Sequence, residues 1–329
     1  MRRSIWLIAN PAAGGGRGGR LLPTVRRAFD GVGSRQTLVT TAPGDEAHCV
    51  RRALDGGADT IAILGGDGTW SKATAAIVAA GAGDRCRVAL LAGGTGNDFV
   101  ASVGAPARAW VTMARLAAEG PDRTLDCAKV DGRHVLNVAG MGFDAAVIES
   151  LHGSTFGGAL RYRLAALRQI FRYRAVSCDP DDGEGSRPLL LLAIANGRRF
   201  GGGLVIAPHA DPGDGYLDIV TVDDAQALRR LELFRAVGRG RHIGMHEVRS
   251  RRVRSLTVHF HSPPLFQTDG ELHRASSPAI DIECVPAALR VVTPLASSQP
   301  SAASTAASAR SASRDGSRSL SRRVDATSP

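Results

Sequence analysis

Short apolar runs alternate with helix-compatible stretches through the first third of the chain. Ile5 to Ala9, Gln36 to Thr41, Thr60 to Leu64 and Val88 to Leu91 read as four strands. Leu21 to Phe29, Pro43 to Leu54 and the Ala-rich stretch Ser71 to Ala80 read as the helices between them. Such alternation predicts a mostly parallel, Rossmann-like α/β sheet covered by helices on both faces. Ligands of such sheets sit at the carboxyl ends of the strands, and Asn10, Thr40, Asp67 and Thr95 each follow one of those ends.

Around Leu125 the pattern changes. Ala128–Val130, Val135–Val138, Leu189–Ala195, Leu217–Val222, Leu256–Phe260 and Ile280–Cys284 are short alternating or apolar runs separated by Gly, Pro and Asp turns. They predict an antiparallel β-sandwich, with helical insertions at Gly158–Tyr173 and Ala225–Gly238 and a last strand, Leu289 to Thr293, returning to the first domain. The expected organisation is an α/β domain over 1–125, a β-sandwich domain over 126–295, and a disordered Ser/Ala/Arg tail over 296–329.

Composition narrows this picture only slightly. A chain of 329 residues with 43% apolar and 22% charged residues is long enough for two soluble domains. Its net charge of +10 suits an anionic partner: nucleotide, nucleic acid or acidic lipid surface. Lys72 and Lys129 are the only lysines; all other basic residues of this group are arginine. Cys49, Cys86, Cys127, Cys178 and Cys284 are scattered, odd in number and without C-x-x-C spacing, which fits reduced residues of a cytosolic protein and no zinc framework. Met1-Arg2-Arg3 and the apolar run behind it are too short for a signal peptide, and no run approaches the ~18 apolar residues of a membrane span.

The densest chemistry is Gly65-Gly66-Asp67-Gly68-Thr69-Trp70-Ser71, between the third strand and its helix. Bare backbone N–H groups at a helix N-terminus attract phosphate, and Asp67 adds an oxygen ligand for the magnesium that accompanies a nucleotide. The loop is neither a Walker A nor a dinucleotide fingerprint; it looks like the nucleotide loop shared by diacylglycerol, sphingosine and NAD kinases and phosphofructokinases. The Gly/Arg loop from Asn10 to Arg20 either holds phosphates or is simply a solvated loop. Asp211 and Asp214, three apart, either bind magnesium or belong to a plain turn. Glu271 either takes a proton from an attacking hydroxyl or is a solvated loop acid. Two arginine runs, 161–174 with interleaved Tyr and Phe and 239–254, either form solvated faces or rest on anionic lipid at about 1 kcal/mol per basic residue.

Taken together, Asn-Pro-x-x-Gly, Gly-Gly-Asp-Gly-Thr, Gly-Thr-Gly-Asn-Asp-Phe, Asn-Val-Ala-Gly-Met-Gly-Phe-Asp, Ala-Pro-x-Ala, Asp-Gly-Tyr-Leu-Asp and Asp-Gly-Glu resemble the diacylglycerol kinase catalytic family, bacterial soluble lipid kinases in particular. The resemblance spans about residues 4 to 295. It implies an ATP-dependent kinase that phosphorylates a primary hydroxyl of a lipid. It also implies that Thr40, the loop Gly65 to Ser71 and Thr95 contact ATP, with Asn10 beside them, that Asn97 and Asp98 support the site, that Asp67 organises the catalytic Mg2+, and that Glu271 is the general base. Asp211 and Tyr216, through backbone oxygens, and Asp214, through its carboxylate, would hold a second, structural magnesium. Gly213 stands where relatives often carry a polar residue, and Arg17 and Arg20 replace lysines common in the first loop.

The nearest rival is an NAD kinase. The rival from another class is a non-enzymatic nucleic-acid or membrane-binding protein driven by charge, but no nucleic-acid module is legible and no nucleic-acid partner is expected. A regulatory protein that binds ATP without catalysis is a further rival, opposed by the intact Asp67 and Glu271. The expected partners are ATP and a lipid met transiently at the membrane surface by a cytoplasmic protein; a homodimer is allowed.

Overall fold

Strands β1 (Ile5–Ala9), β3 (Thr60–Gly65) and β4 (Arg87–Ala92) are buried along their whole length, as interior strands of a parallel sheet are. The protein is seen here as a computed structural model that describes residues 3–106, 108–151 and 159–294. The edge strand β2 (Gln36–Val39) pairs with β1, β1 with β3 and β3 with β4, all parallel. Successive side chains of β1 face opposite sides. Ile5 and Leu7 pack with Phe29 and Met113, while Trp6 and Ile8 pack with Trp70 and Ile77. The covering helices are α1 (Ala13–Asp30), α2 (Glu46–Asp55), α3 (Asp67–Ala79), the short α4 (Asp98–Val103) and α5 (Trp110–Glu119).

Two helices begin earlier than the sequence suggests. Gly14, Gly15 and Gly16 take φ of 61°, 65° and 84°, a left-handed turn that glycine tolerates, and right-handed helix starts at Arg17 rather than Leu21. Helix α3 starts at Asp67, not Ser71, with extended Gly66 as its N-cap. Asp67 thus stands in the first turn, where the helix dipole favours a carboxylate. A Cβ on Gly94 would lie 2.4 Å from the Gly66 Cα, so the loops after β3 and β4 touch backbone to backbone.

The remaining elements are β5 (Asp122–Val130), β6 (Arg133–Val135), β7 (Val138–Gly142), α6 (Phe143–Glu149), α7 (Ala159–Ile170), β8 (Val176–Asp179), β9 (Arg187–Ala195), β10 (Arg199–Phe200), β11 (Leu204–Val205), β12 (Leu217–Asp223), α8 (Ala227–Gly238), β13 (Val248–Val253), β14 (Ser255–Phe260), β15 (Leu265–Thr268), β16 (Glu271–Arg274) and β17 (Ala279–Val292). The antiparallel path runs β16-β15-β7-β9-β8-β14-β17, with β12 on β9 and β5 on β17. The expected returning strand is the end of the 14-residue β17. Its first part pairs with β14, its register on β5 shifts between Val285 and Leu289, and Arg290 and Val291 then lie parallel to Arg87 and Val88. A mixed α/β architecture of a parallel nucleotide-type half and a β-sandwich-like half is therefore what the chain adopts. The Ser/Ala/Arg tail from Ala296 lies outside the described residues.

Arg87 ties the returning strand to the parallel sheet through Asp122. Its side chain is 1% exposed and donates to Gly120 O (2.8 Å), Thr60 Oγ1 (3.3 Å), Asp122 Oδ2 (3.4 Å) and the carbonyl of Ala117. Asp122 also accepts from Arg290 of the returning strand at 3.0 and 2.9 Å. Removing one partner of a buried charged network leaves the others unsatisfied. Arg87→Met should therefore lower the unfolding free energy in urea by about 3 kcal/mol, and a variant as stable as wild type would contradict this role.

Candidate active site

The loops after β1, β2, β3 and β4 close around a groove of about 440 Å3. Asn10, Thr40, Gly66, Gly68, Thr69 and Thr95 line it, together with the first glycine loop and Lys72. Asn10 holds the arrangement. Its amide donates to Thr69 Oγ1 at 2.9 Å and to Glu46 Oε1 at 3.4 Å, and its carbonyl oxygen accepts the Ala12 N–H at 3.0 Å. Arg17 donates to Gly94 O at 3.0 Å and ties the first loop to the fourth. Three members of the predicted loop face elsewhere. Gly65 ends a buried strand. Trp70 is fully buried and donates its indole N–H to Ile63 O at 3.2 Å. Ser71 points toward the other half of the molecule, where Asp269 accepts its hydroxyl at 2.6 Å.

Asp67 stands behind this groove. Its carboxylate accepts the backbone N–H of Asn97 at 2.6 Å and of Phe99 at 3.3 Å. Asn97 can present its N–H because it adopts φ 57°, with its own side chain closing on Gly94 at 3.2 and 3.0 Å. Burial, then the neighbouring charge of Asp98, pushes the Asp67 carboxyl up to about 6. Asp98 is itself raised by burial, although it accepts the Gly202 N–H at 2.8 Å.

On the far side of Asp67 lies a second cavity, of about 530 Å3, whose wall includes Thr95 as well. Four acids reach it, Asp67, Asp98, Asp144 and Asp269, among Phe99, Ile148, Leu151 and Phe200. The two hollows thus meet along a seam at Thr95, with Gly66 and Gly68 facing the first and Asp67 between them facing the second; one presents bare backbone N–H groups and the other acids and apolar surface.

Glu271 comes to this seam from the sandwich half. It does not sit in a loop. Asp269 (φ 50°) and Gly270 (φ 91°) form a two-residue hairpin between β15 and β16, and Thr268 pairs with Glu271. The Asp269 carboxylate accepts the N–H groups of Leu136 (2.8 Å), Asn137 (2.9 Å) and Val138 (3.0 Å) as well as the Ser71 hydroxyl, and burial raises it despite these donors. Glu271 Oε1 then lies 2.5 Å from Nζ of Lys72, which lines the groove of the N-terminal half. The pair is about half exposed, so little energy opposes its parting.

The Asp211–Tyr216 turn is arranged differently. Asp211 pairs with Arg123 and Asp214 with Arg252, while the Tyr216 ring lies against Arg252 and Arg254, 4.6 and 4.8 Å from its centroid. Arginines supply the positive charge here, and among the described residues no group of three or more His, Cys, Asp or Glu side chains gathers as a metal centre. A cation held by the Asp214 carboxylate would have to displace the Arg252 guanidinium.

Residue-level reading of the sequence passed over four polar groups of the site. Lys72 was visible as one of two lysines in the chain. Glu46, 3% exposed, faces the groove with one oxygen bonded to Asn10. Asp144 ends the Gly-Met-Gly-Phe-Asp motif and is buried in the second cavity, where it accepts Tyr162 OH at 2.5 Å and Gln267 Nε2 at 2.6 Å; burial pushes its carboxyl up to about 6. Asp269 was hidden by its turn chemistry, since Asp-Gly already explains a hairpin.

Comparison with known proteins matches both halves. Residues 4–130 match the family "Diacylglycerol kinase catalytic domain" and residues 137–293 the family "YegS C-terminal NAD kinase beta sandwich-like domain". The chain is 30% identical over 261 residues to a "Diacylglycerol kinase" of Mycobacterium tuberculosis, covering 76% of this chain and 82% of the relative. It is 32% identical over 268 residues to a "Probable lipid kinase YegS-like" of Xanthomonas euvesicatoria, covering 78% and 85%. A crystal structure of a Bacillus anthracis diacylglycerol kinase shares the fold, with a TM-score of 0.64 at 22% identity over 90% of this chain and 98% of that one. The chain belongs to the diacylglycerol kinase catalytic family.

Proposed function

We propose that the protein is an ATP-dependent lipid kinase, transferring the γ-phosphoryl group of ATP to a primary hydroxyl of a lipid such as diacylglycerol at a membrane surface. The observation that carries this reading is the pair of hollows that meet at Thr95, with Asp67 lining one of them and Glu271 of the sandwich half bonded to Lys72 at the rim of the other. In this reading residues 1–125 form the nucleotide domain and 126–295 the acceptor domain. The matches to relatives named diacylglycerol kinase and lipid kinase support the same assignment.

Bare N–H groups of the Gly66–Thr69 turn, at the start of α3, receive the phosphates. Arg17 and Lys72 stand close enough to add positive charge. The acceptor hydroxyl enters from the acid-rimmed cavity. Glu271 takes its proton, the oxygen forms a bond to the γ-phosphorus, and the bond to the β–γ bridging oxygen breaks to leave ADP. Positioning and charge neutralisation account for most of such a reaction. Asp67 suits a hard divalent cation: it is buried, only backbone N–H groups bond to it, and a neighbouring carboxylate raises it. Magnesium carried in with ATP would be held there and would offset phosphate charge. Nothing in the reaction is assigned to a cation at Asp211, Asp214 and Tyr216.

Radiolabelled ATP offered with diacylglycerol, sphingosine, phosphatidylglycerol and NAD in turn should label a lipid and not NAD; label in NAD alone would overturn the reading. With the accepted lipid, Glu271→Gln should lower kcat about a hundredfold or more while ATP still binds, whereas wild-type turnover would remove Glu271 from the mechanism. A pH test follows from Asp67. Its folded pKa of about 6 means that below this pH the carboxyl is protonated and must lose a proton to hold a cation. Affinity for ATP at saturating magnesium should therefore rise about tenfold between pH 5 and pH 7 and level off above; a flat profile would contradict the assignment.

A further inference from the structure

We propose that the outward face of α7 is the surface by which this protein seats on an anionic bilayer, beside the mouth of the acceptor cavity. Leu160, Leu164 and Leu167, followed by Phe171 just past the helix end, are 72, 59, 42 and 60% exposed. They are four of the eight large apolar residues exposed among the described residues, and their spacing of four, three and four puts them on one narrow stripe. The opposite side of the helix already serves the fold. Ala166 and Ile170 are buried there, and Tyr162 donates to Asp144. The stripe is therefore apolar without contributing to the core.

Arginines border it on both sides. At about 100° per residue, Arg163 falls on one flank and Arg168 on the other, with Arg172 following in the next turn. No acidic residue occurs in α7, and among the described residues none of these three arginines pairs with a carboxylate. Arg163 donates to the carbonyl of Gly202 at 3.1 Å. The second arginine run is spent differently. It forms strand β13 and the turns around it, where Arg249 pairs with Asp223 and Glu184, Arg252 pairs with Asp214, and Arg251 donates to Pro180 O at 2.6 Å. Arg239, Arg241 and Arg254 of that run meet no carboxylate among the described residues, but of the two basic runs only the one on α7 borders an exposed apolar stripe.

An apolar stripe bordered by basic residues is the pattern of a helix that lies in a membrane interface, its leucines among the acyl chains and its arginines at the phosphates. The stripe also adjoins the acceptor cavity. Leu151 lines both that cavity and a neighbouring hollow lined by Leu164, Arg168 and Arg172. A lipid headgroup entering the cavity would leave its chains on the side where α7 meets the bilayer.

The purpose of this surface rests on the lipid-kinase reading, but its test does not. The full-length protein is sedimented with vesicles of phosphatidylcholine, with and without phosphatidylglycerol. Wild type should sediment with the anionic vesicles and lose binding at high salt. The triple variant Leu160→Gln, Leu164→Gln, Phe171→Gln should lose about tenfold or more in partitioning, with an unchanged circular dichroism spectrum and unchanged phosphorylation of a short-chain diacylglycerol in detergent micelles. Arg168→Glu with Arg172→Glu should abolish the preference for anionic vesicles. Failure of wild type to bind vesicles, or a triple variant that binds as wild type does, would overturn the proposal. So would conversion of a dimer to a monomer by the triple variant, since the stripe would then be an interface between copies. Vesicle binding that the variants abolish, in a protein that phosphorylates no lipid in micelles, would sink the kinase reading and leave the docking surface standing.

Discussion

One fully satisfied buried carboxylate pins the sandwich half to the nucleotide half at the candidate site. Asp269 collects three backbone N–H groups from Leu136, Asn137 and Val138 and a hydroxyl from Ser71 of α3. Burying a charge is costly unless its hydrogen-bonding capacity is filled, and here four donors from two separate parts of the chain fill it. The bonds hold the hairpin against the nucleotide half, and they fix the direction of the next strand, which begins with Glu271. In the proposed mechanism, the general base is thus set by a neighbour two residues away.

The charges of the molecule divide along the same line. Around the seam, Asp67, Asp98, Asp144 and Asp269 are buried without guanidinium partners and are raised by desolvation. Elsewhere several acids are paired with arginines, Asp122 with Arg87 and Arg290, Asp182 with Arg187, Glu247 with Arg229, although buried Asp126 and Asp218 are not. Uncompensated buried acids oppose folding above their pKa, and concentrating them at one seam is what a site that must receive a cation and an acceptor hydroxyl would do. The surplus positive charge lies on faces such as that of α7.

Much of this was legible in the chain. The continuous apolar character of Ile5–Ala9, Thr60–Leu64 and Val88–Leu91 announced buried parallel strands, and the loops after them are the ones that converge. The return of the last strand was legible too, although not its continuity with Ile280–Cys284, because Pro286 and an Ala287 at φ 53° interrupt the pattern without ending the strand. What stayed hidden depended on partners far apart in sequence. Trp70 looked like part of a phosphate loop, but helix α3 starts at Asp67 and turns the indole into the core. Asp269 looked like a turn residue because both roles ask for the same Asp-Gly. The two arginine runs looked alike until the acids facing β13, from Glu184, Asp214 and Asp223, separated a paired strand from a free helix face.

The central claim is that Asp269 positions Glu271 for catalysis, and Asp269→Asn tests it most directly. Asparagine keeps the volume but turns an amide N–H toward groups that are themselves donors. Steady-state kinetics with ATP and a micellar lipid acceptor, alongside direct ATP-binding measurements, should show kcat lowered about a hundredfold with ATP affinity unchanged, because the groove that receives ATP is built by other loops. A variant that turns over like wild type would show that the hairpin does not depend on this clamp, and the account would fail.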